Sequence, residues 1–334
     1  TAWATITTTI DRNIQKAVED IIDKDIQAFQ ANSVNVVVMD PKTWSVIAMW
    51  STPRYDLNNP WDAYLLTKVT GDKFPQPSIN LRWMRVMAVD SRNWTEFFYN
   101  GNRILLREAT YEEFDNRNIE KYIFTNRQWS WVYKNDIIQN VYEPGSIFKP
   151  ILMASWIDSW EIRKYDMYQD NWYVKVWPFT IKNVHPKCLW YNTFQKAMNY
   201  SCNVWMIKIA QKLWKALYHR YLVNFWFGQQ TWITLSGEVS WVLAPYEKWS
   251  DAQLLTTSYW LWVWVTMVQM AQAYSALANG WIIYKPQIVK SIDFTDGRSI
   301  VNKPEATHRV LKEETSKIMT EVLVDSVNHW VAKH

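Results

Sequence analysis

The segment YEPGSIFKP, residues 142–150, places a serine and a lysine three positions apart behind a Pro-Gly pair. Pro144 and Gly145 suit the start of a helix, so one helical turn would stack the Lys149 amine beside the Ser146 hydroxyl. An amine whose charged form is disfavoured by burial can act as the base for a serine nucleophile. Backbone N–H groups at a helix start would also face a developing oxyanion. The spacing indicates acyl-transfer chemistry, although a serine and a lysine on a solvated helix face would give the same short pattern.

A second polar pair, Ser201 and Asn203, lies in NYSCNVWMIKIAQKL, in a polar turn between two predicted helices. The bare Ser-x-Asn pattern recurs elsewhere, for example at Ser33 and Asn35, so the three residues alone predict nothing. What distinguishes Ser201 is its place downstream of the Ser146 helix, in the same helical region. We therefore expect the two polar pairs to face a shared cleft.

Patterning divides the chain into three predicted parts. Residues 1–60 carry a first helix and a hairpin of β-branched segments, residues 61–134 form a mixed polar and aromatic insert, and residues 135–334 are mainly helical before a return to strand. The clearest helix has Thr266 as its predicted N-cap and Gly280 just past its end. These alternations predict a mixed α/β fold. For the insert, a partner-docking lobe and a tolerated loop expansion both stay open.

Composition excludes several classes of protein. The 36 basic and 32 acidic residues leave a net charge of +4, which gives no reason to expect a nucleic-acid partner. The hydrophobic content of 49% is too high for a disordered chain. Cys188 and Cys202 are too few for a disulfide framework or a zinc site. We expect Cys202 to fill a buried loop as a small side chain, with a reactive thiol as the alternative. The five histidines show no metal-ligand spacing.

These motifs, taken in order, resemble the penicillin-recognising serine transpeptidases of class B, the monofunctional penicillin-binding proteins. The segments that carry the resemblance are TTIDRNIQKAVEDII, VVVMDPKTWSVIAMWSTPRYDLNNP, YEPGSIFKP, NYSCNVWM, LSGEVSWVLAP and VTMVQMAQAYSALANGWIIYKP. They cover most of the chain apart from the insert. GEVSW and SVNHWVAKH are more similar to the septum-forming branch than to the cell-elongation branch. The resemblance implies an antiparallel sheet flanked by helices, with a helical subdomain that carries Ser146 and Ser201.

The resemblance also implies a role for each of four residues. Ser146 would be the nucleophile, acylated by the penultimate D-alanine of a peptidoglycan stem peptide or by a β-lactam, and Lys149 would take its proton. Ser201 would relay a proton to the leaving group, and Asn203 would hold the substrate amide. No metal and no organic cofactor are implied.

One part of the family's active site has no counterpart in this sequence. The family needs a Lys-Thr/Ser-Gly strand to complete the oxyanion hole, and no such triplet occurs here. We interpret the sequence as a fragment that ends before that strand, with the later strands of the sheet and a membrane anchor outside it. The protein would then act at the extracytoplasmic face of the cytoplasmic membrane, with cell-division membrane proteins as partners. A β-lactam hydrolase or sensor of the same fold and a non-catalytic division scaffold remain alternatives.

Tryptophan and glycine occur in abnormal numbers, 24 and 7. Average usage predicts about 23 glycines for this length. The resembling family usually has glycine at nine positions that are tryptophan here: 44, 205, 214, 226, 232, 241, 260, 262 and 281. We hypothesise that most of these tryptophans are glycines whose UGA codons were read as tryptophan. The alternative is an aromatic-rich strand or a carbohydrate-binding stripe at Trp260, Trp262 and Trp264, and it leaves the glycine deficit unexplained.

Overall fold

The computed structural model of the chain describes residues 3–29, 31, 33–52, 58, 66–69, 86–89, 95–99, 102–114, 116, 118–124, 133–176, 179–210, 214–250, 254 and 263–329. The chain forms two compact units. The first unit contains residues 1–23, 36–50 and 136–334, and the second contains residues 24–35 and 51–135. The three-part division at residues 60 and 134 stays a prediction.

The described residues contain helices and strands in alternation. The helices are α1 (Arg12–Phe29), α2 (Tyr111–Phe114), α3 (Asp136–Gln139), α4 (Lys149–Asp158), α5 (Phe194–Asn199), α6 (Val204–Ala210), α7 (Lys215–Asn224), α8 (Met267–Ala278) and α9 (Glu313–His329). The strands are β1 (Ala4–Thr8), β2 (Asn35–Met39), β3 (Val46–Ser51), β4 (Leu66–Val69), β5 (Val86–Val89), β6 (Thr95–Tyr99), β7 (Asn102–Glu108), β8 (Lys121–Phe124), β9 (Met167–Asp170), β10 (Tyr173–Val176), β11 (Phe179–Lys182), β12 (Trp190–Thr193), β13 (Ile282–Tyr284), β14 (Val289–Phe294), β15 (Ser299–Val301) and β16 (Ala306–Arg309).

The strands of the first unit form small antiparallel sheets. Strand β14 pairs with β1 on one side and with β15 on the other. Further two-stranded ladders join β9 to β12, β10 to β11 and β13 to β16. Strands β2 and β3 neighbour each other, as the predicted hairpin requires. The predicted mixed α/β class with antiparallel strands is confirmed.

Helix α4 is the centre of the first unit's core. Each of its ten residues is buried, which is typical of a helix that is surrounded by other elements rather than lying at a surface. Helix α9 packs on α4, α5 and α8. Asp158, at the end of α4, accepts hydrogen bonds from the Lys312 N–H and the Thr315 hydroxyl at the start of α9. The helical region predicted around Ser146 therefore has one shared core.

The second unit carries a five-stranded antiparallel sheet in the order β4-β8-β5-β7-β6. Its outer hairpin joins β6 to β7 within the segment FFYNGNRILL. Arg107 on β7 pairs with Glu113, and this contact lowers the pKa of the Glu113 carboxyl to about 2.

Local capping signals account for two helix starts in the first unit. The Asp11 carboxylate accepts from the N–H groups of Asn13 and Ile14 at the start of α1. Thr266 and Gln269 form a reciprocal capping box at the start of α8. Helix α8 begins where the sequence predicts, because a cap depends only on residues within one turn.

Among the described residues, seven tryptophans have a left-handed backbone, in which a residue with a Cβ is strained. They are Trp44, Trp160, Trp172, Trp190, Trp226, Trp232 and Trp281, with φ between 59° and 74°. Four of them, at 44, 226, 232 and 281, are among the nine positions where the sequence suggests glycine. Trp160, Trp172 and Trp190 extend the set.

Three of the other five positions where the sequence suggests glycine do not have a left-handed backbone. Trp205 lies inside α6, and Trp214 has a φ of −72°, so the backbone at these two residues does not require glycine. Trp241 is also absent from the left-handed set. Trp260 and Trp262 lie outside the described residues.

Several buried tryptophan side chains also have an indole N–H without a hydrogen-bond partner among the described residues. Trp44, Trp156, Trp205 and Trp281 are fully buried, and among the described residues their indole N–H groups have no hydrogen-bond partner. A buried tryptophan usually finds a partner for its N–H, and leaving a buried donor unpaired costs about 1–3 kcal/mol. Trp44 and Trp281 combine this cost with a left-handed backbone.

We expect peptides of the protein purified from its source to carry glycine at positions 44, 226, 232 and 281, because glycine adopts a left-handed backbone without strain. Tandem mass spectrometry of those peptides, together with UGA codons in the gene, checks this. Trp249 is the matched control, since its φ is −78° and its indole donates to the Ala244 carbonyl at 3.0 Å, so it should be a UGG-encoded tryptophan. UGG codons at the left-handed positions would contradict the hypothesis.

Candidate active site

Ser146 lies in a single turn of 3₁₀-helix, Gly145–Phe148, that runs directly into α4. The sequence predicts one continuous helix here, and the tighter first turn is the difference. In a 3₁₀-helix, residues three apart eclipse each other, so Ser146 and Lys149 lie on the same side of the turn. Gly145 has a φ of 63°, which explains why glycine precedes the serine.

Contacts from two other segments fix this turn. Tyr142 and Val265 exchange two backbone hydrogen bonds, of 2.9 and 3.0 Å. The Tyr274 hydroxyl on α8 donates to the carbonyl of Ile147 at 2.7 Å, and Phe148 is fully buried. The backbone on both sides of Ser146 is therefore anchored to the core, while the Ser146 side chain itself is exposed.

The Lys149 amine is the centre of the site. Its side chain is buried, and Nζ donates to the Ser201 carbonyl at 2.7 Å, to Ser201 Oγ at 3.0 Å and to Asn203 Oδ1 at 2.7 Å. Three of the four predicted site residues are thus brought together across more than 50 positions of sequence. Ser146 Oγ makes no hydrogen bond to any described residue. Its role as a nucleophile stays a prediction, as do the roles of the other three residues.

Burial changes the acid–base behaviour of Lys149. Desolvation disfavours the charged ammonium and lowers the pKa of Lys149 from its ordinary value of 10.5 to about 7. A substantial neutral fraction is therefore present near neutral pH, and a neutral amine has a lone pair that can accept a proton. The site can thus supply a base at the position where the Ser146 turn meets α4.

Ser201 occupies a strained position at the end of α5. Its φ is 50°, in the left-handed region. The Ser201 N–H donates to the Met198 carbonyl and the Cys202 N–H donates to the Ala197 carbonyl. This pair of bonds is the Schellman motif, whose left-handed position is usually glycine. A serine is held there with its hydroxyl toward Lys149, and such strain is concentrated at functional sites in proteins.

A disulfide between Cys188 and Cys202 secures the same loop. Cys202 is buried as expected, but it is not merely a small side chain filling the loop, because it is disulfide-bonded. Cys202 stands between Ser201 and Asn203, and the bond ties it to the turn at Pro186–Cys188. Two cysteines in a protein predicted to act outside the cytoplasm are a signal for such a bond, but sequence alone cannot show that two particular residues meet.

Asn203 is held at its side chain and at its backbone. Its Nδ2 donates to the Lys182 carbonyl at 2.8 Å, so its Oδ1 faces Lys149. Its backbone N–H donates to the side chain of Asn183, which in turn contacts Asp170. No motif in the sequence marks Asn183 or Asp170, and the sequence-based reasoning missed both.

Metal-ligand clusters and membrane-spanning helices are both absent from the described residues. No group of three or more His, Cys, Asp or Glu among the described residues could hold a metal ion. In the described part of the chain, no helix combines the length and apolarity needed to cross a bilayer.

The sequence matches one family model, described as the penicillin binding protein transpeptidase domain, over residues 34–332. Stage V sporulation protein D of Bacillus subtilis is 31% identical over 190 residues, which are 56% of this chain and 29% of that protein. A protein of Mesostigma viride named peptidoglycan D,D-transpeptidase FtsI homolog is 23% identical over 303 residues, 85% of this chain and 38% of that protein. The chain therefore spans well under half the length of these relatives.

The fold is similar to that of solved structures with few identical residues. Penicillin-binding protein 3 from Mycobacterium tuberculosis superposes with a TM-score of 0.70 at 20% identity, over 96% of this chain and 57% of that one. The transpeptidase domain of Burkholderia pseudomallei penicillin-binding protein 3 gives a TM-score of 0.64 at 16% identity, over 95% and 69% of the two chains. The fold class predicted by resemblance is confirmed.

The strain at Ser201 predicts an order of stability for two variants. Ser201→Gly and Ser201→Ala both lose the hydroxyl that contacts Lys149, but only glycine adopts the left-handed backbone without cost. We expect the free energy of unfolding of Ser201→Gly to exceed that of Ser201→Ala by about 1 kcal/mol. Urea unfolding curves of the two proteins measure the difference. Equal midpoints would show that the backbone at residue 201 is not strained.

Proposed function

The chain belongs to the penicillin-binding protein transpeptidase domain family, in its monofunctional class B, and from that premise we propose that it is the catalytic domain of a peptidoglycan D,D-transpeptidase. The observation that carries the proposal is the buried Lys149 amine, held by Ser201 and Asn203 on the side of the turn that presents Ser146. A relative from Neisseria flavescens is also named a probable peptidoglycan D,D-transpeptidase.

In the proposed reaction Ser146 Oγ attacks the carbonyl carbon of the penultimate D-alanine of a stem peptide. Neutral Lys149 takes the hydroxyl proton as the new C–O bond forms. The peptide C–N bond then breaks, and the leaving D-alanine amine takes up a proton. An amine of a second stem peptide later attacks the ester, releases Ser146 and completes the cross-link.

In this reaction Ser201 transfers a proton and Asn203 binds the substrate. Ser201 Oγ lies 3.0 Å from the Lys149 amine, so it can pass the proton from Lys149 to the departing amine. Asn203 binds the substrate amide and also orients Lys149 through its Oδ1. Because the Ser146 side chain is exposed, a substrate can approach its oxygen directly.

β-Lactams would acylate Ser146 in the same way, since they present a carbonyl to the same nucleophile. Structures of Mycobacterium tuberculosis penicillin-binding protein 3 are described as complexes with aztreonam and with ampicillin. A location outside the cytoplasm agrees with the Cys188–Cys202 bond, because disulfides persist in oxidising compartments. We further propose a role in septum formation alongside membrane proteins of cell division, on the similarity of GEVSW and SVNHWVAKH to that branch.

The nucleophile is tested by labelling the protein expressed from its whole gene with a fluorescent penicillin. We expect Ser146→Ala to abolish the label, while Ser159→Ala, the same substitution at the far end of α4, keeps it. Gel fluorescence after denaturation measures covalent label. Label that survives in Ser146→Ala would exclude this serine. Rapid loss of the label from the unaltered protein would favour a β-lactam hydrolase, and an unlabelled protein would favour a scaffold.

The lowered pKa of Lys149 predicts how the rate of labelling depends on pH. Protonated Lys149 cannot take the serine proton, so we expect the rate to fall as pH drops through about 7 and to level off above it. Initial rates between about pH 5 and 9 give the midpoint. Lys149→Arg should be slow at every pH, because guanidinium does not deprotonate. A rate that is independent of pH over this range would rule out Lys149 as the base.

A further inference from the structure

A buried chain of hydrogen bonds runs from Asp170 to the Lys149 amine. Asp170 and Asn183 are each at least 95% buried, and Asn203 is also buried. Asn183 Nδ2 donates to Asp170 Oδ1 at 2.8 Å, and the backbone N–H of Asn203 donates to Asn183 Oδ1 at 2.7 Å. Asn203 Oδ1 then accepts from Lys149 at 2.7 Å. Every link in this chain is within ordinary hydrogen-bond distance.

The direction of each bond in this chain is fixed by its neighbours. The N–H groups of Asn203 and Val204 can only donate, and both point at the same Asn183 atom, at 2.7 and 3.1 Å. That atom must be the amide oxygen, so the Asn183 NH₂ faces Asp170, which can accept. The Lys182 carbonyl fixes the orientation of the Asn203 amide in the same way, because it accepts from Nδ2 and turns Oδ1 toward Lys149.

Asn183 also accepts hydrogen bonds from backbone N–H groups at the start of α6. The first N–H groups of a helix have no partner within the helix, and here they are buried. Asn183 supplies the acceptor from outside α6, since it directly follows β11 (Phe179–Lys182). The end of β11 therefore holds Asn203 at two points, at its backbone N–H through Asn183 and at its side chain through the Lys182 carbonyl.

Asp170 holds Asn183 in turn. Its Oδ1 also accepts from the Trp172 N–H at 2.8 Å, and its Oδ2 accepts from the Tyr168 hydroxyl at 3.2 Å. A buried carboxylate with three neutral donors keeps a fixed orientation, because rotation would leave donors unpaired in the interior. The Asn183 Nδ2 bond to Asp170 is therefore available only in the orientation that turns Oδ1 to Asn203.

We propose that Asn183 and Asp170 are positioning residues for the active site, with Asn183 setting Asn203 against Lys149 and Asp170 setting the amide of Asn183. This inference rests on the proposed function, because Lys149 and Asn203 have their roles only in acyl transfer. Neither residue touches the substrate. Their effect reaches the reaction through the geometry of Asn203, where a misplacement of about 1 Å can cost a hundredfold in rate.

The test measures the rate of acylation by fluorescent penicillin, per folded molecule, in the protein expressed from its whole gene. We expect Asn183→Ala to lower that rate by about ten- to a hundredfold. Thr315→Val is the matched control, since it removes a buried hydrogen bond of 2.8 Å to Asp158 in the same unit, and it should lower stability without slowing acylation. Equal effects of the two variants would overturn the proposal.

The isosteric variant Asn183→Asp keeps the acceptor for the Asn203 N–H and tests for rescue. Its second carboxyl oxygen replaces Nδ2 and faces Asp170 Oδ1, where the present bond is 2.8 Å long. Two buried carboxyl groups this close share one proton, so the variant keeps a donor to Asp170. We expect Asn183→Asp to recover most of the acylation rate that Asn183→Ala loses. A rate as low as that of Asn183→Ala would overturn the proposal.

A double-mutant cycle tests whether Asp170 acts through Asn183. We expect Asp170→Asn to slow acylation in the unaltered protein but to add little in the Asn183→Ala background. Full additivity would refute the part assigned to Asp170. If the unaltered protein takes no label, the proposed function fails and this inference fails with it. If the unaltered protein is labelled and Asn183→Ala reacts at the same rate, only this inference fails.

Discussion

The site depends on one buried amine and the three oxygen contacts that hold it. Lys149 is the first residue of a wholly buried helix, and its side chain is itself buried. Transfer of a full charge into such a place costs several kcal/mol, which is why the pKa of Lys149 falls toward neutrality. The oxygens of Ser201 and Asn203 keep the amine in one position whether or not it is charged. Burial makes a fraction of the amine neutral near pH 7, and hydrogen bonding holds it in place.

Several independent interactions fix the conformation of the loop that faces this amine. Ser201 has an unfavourable backbone conformation, yet a Schellman pair of hydrogen bonds, the Cys188–Cys202 disulfide and the Lys149 contact all maintain it. Asn203 is likewise held from the end of β11. Strain is tolerated at a site when the surroundings leave the chain no alternative. Such a site loses little conformational entropy on binding substrate, which favours a precise reaction geometry.

The left-handed tryptophans contrast with Ser201. At Ser201 the strained backbone directs a hydroxyl to a partner, whereas Trp44 and Trp281 combine the same backbone region with buried indoles that lack a partner among the described residues. The first case has a compensating interaction and a proposed role. The second has neither. Among the described residues, seven tryptophans have a left-handed backbone, which agrees with the glycine deficit seen in the composition. Backbone dihedrals and composition both lead to the same codon hypothesis.

The sequence by itself determined the features that depend on near neighbours. Asp11 and Thr266 cap their helices within one turn, the Ser146–Lys149 spacing places both residues on one side of a turn, and the order of motifs identified the family. Only the tertiary structure decided which distant residues meet: Lys149 with Ser201, Cys188 with Cys202, and Asp170 with Asn183 and Asn203. Nothing in an isolated Asn or Asp distinguishes a surface side chain from one that orients an active site. That distinction arises when strands and helices far apart in sequence bury the residue and leave a single orientation in which its donors and acceptors are all paired.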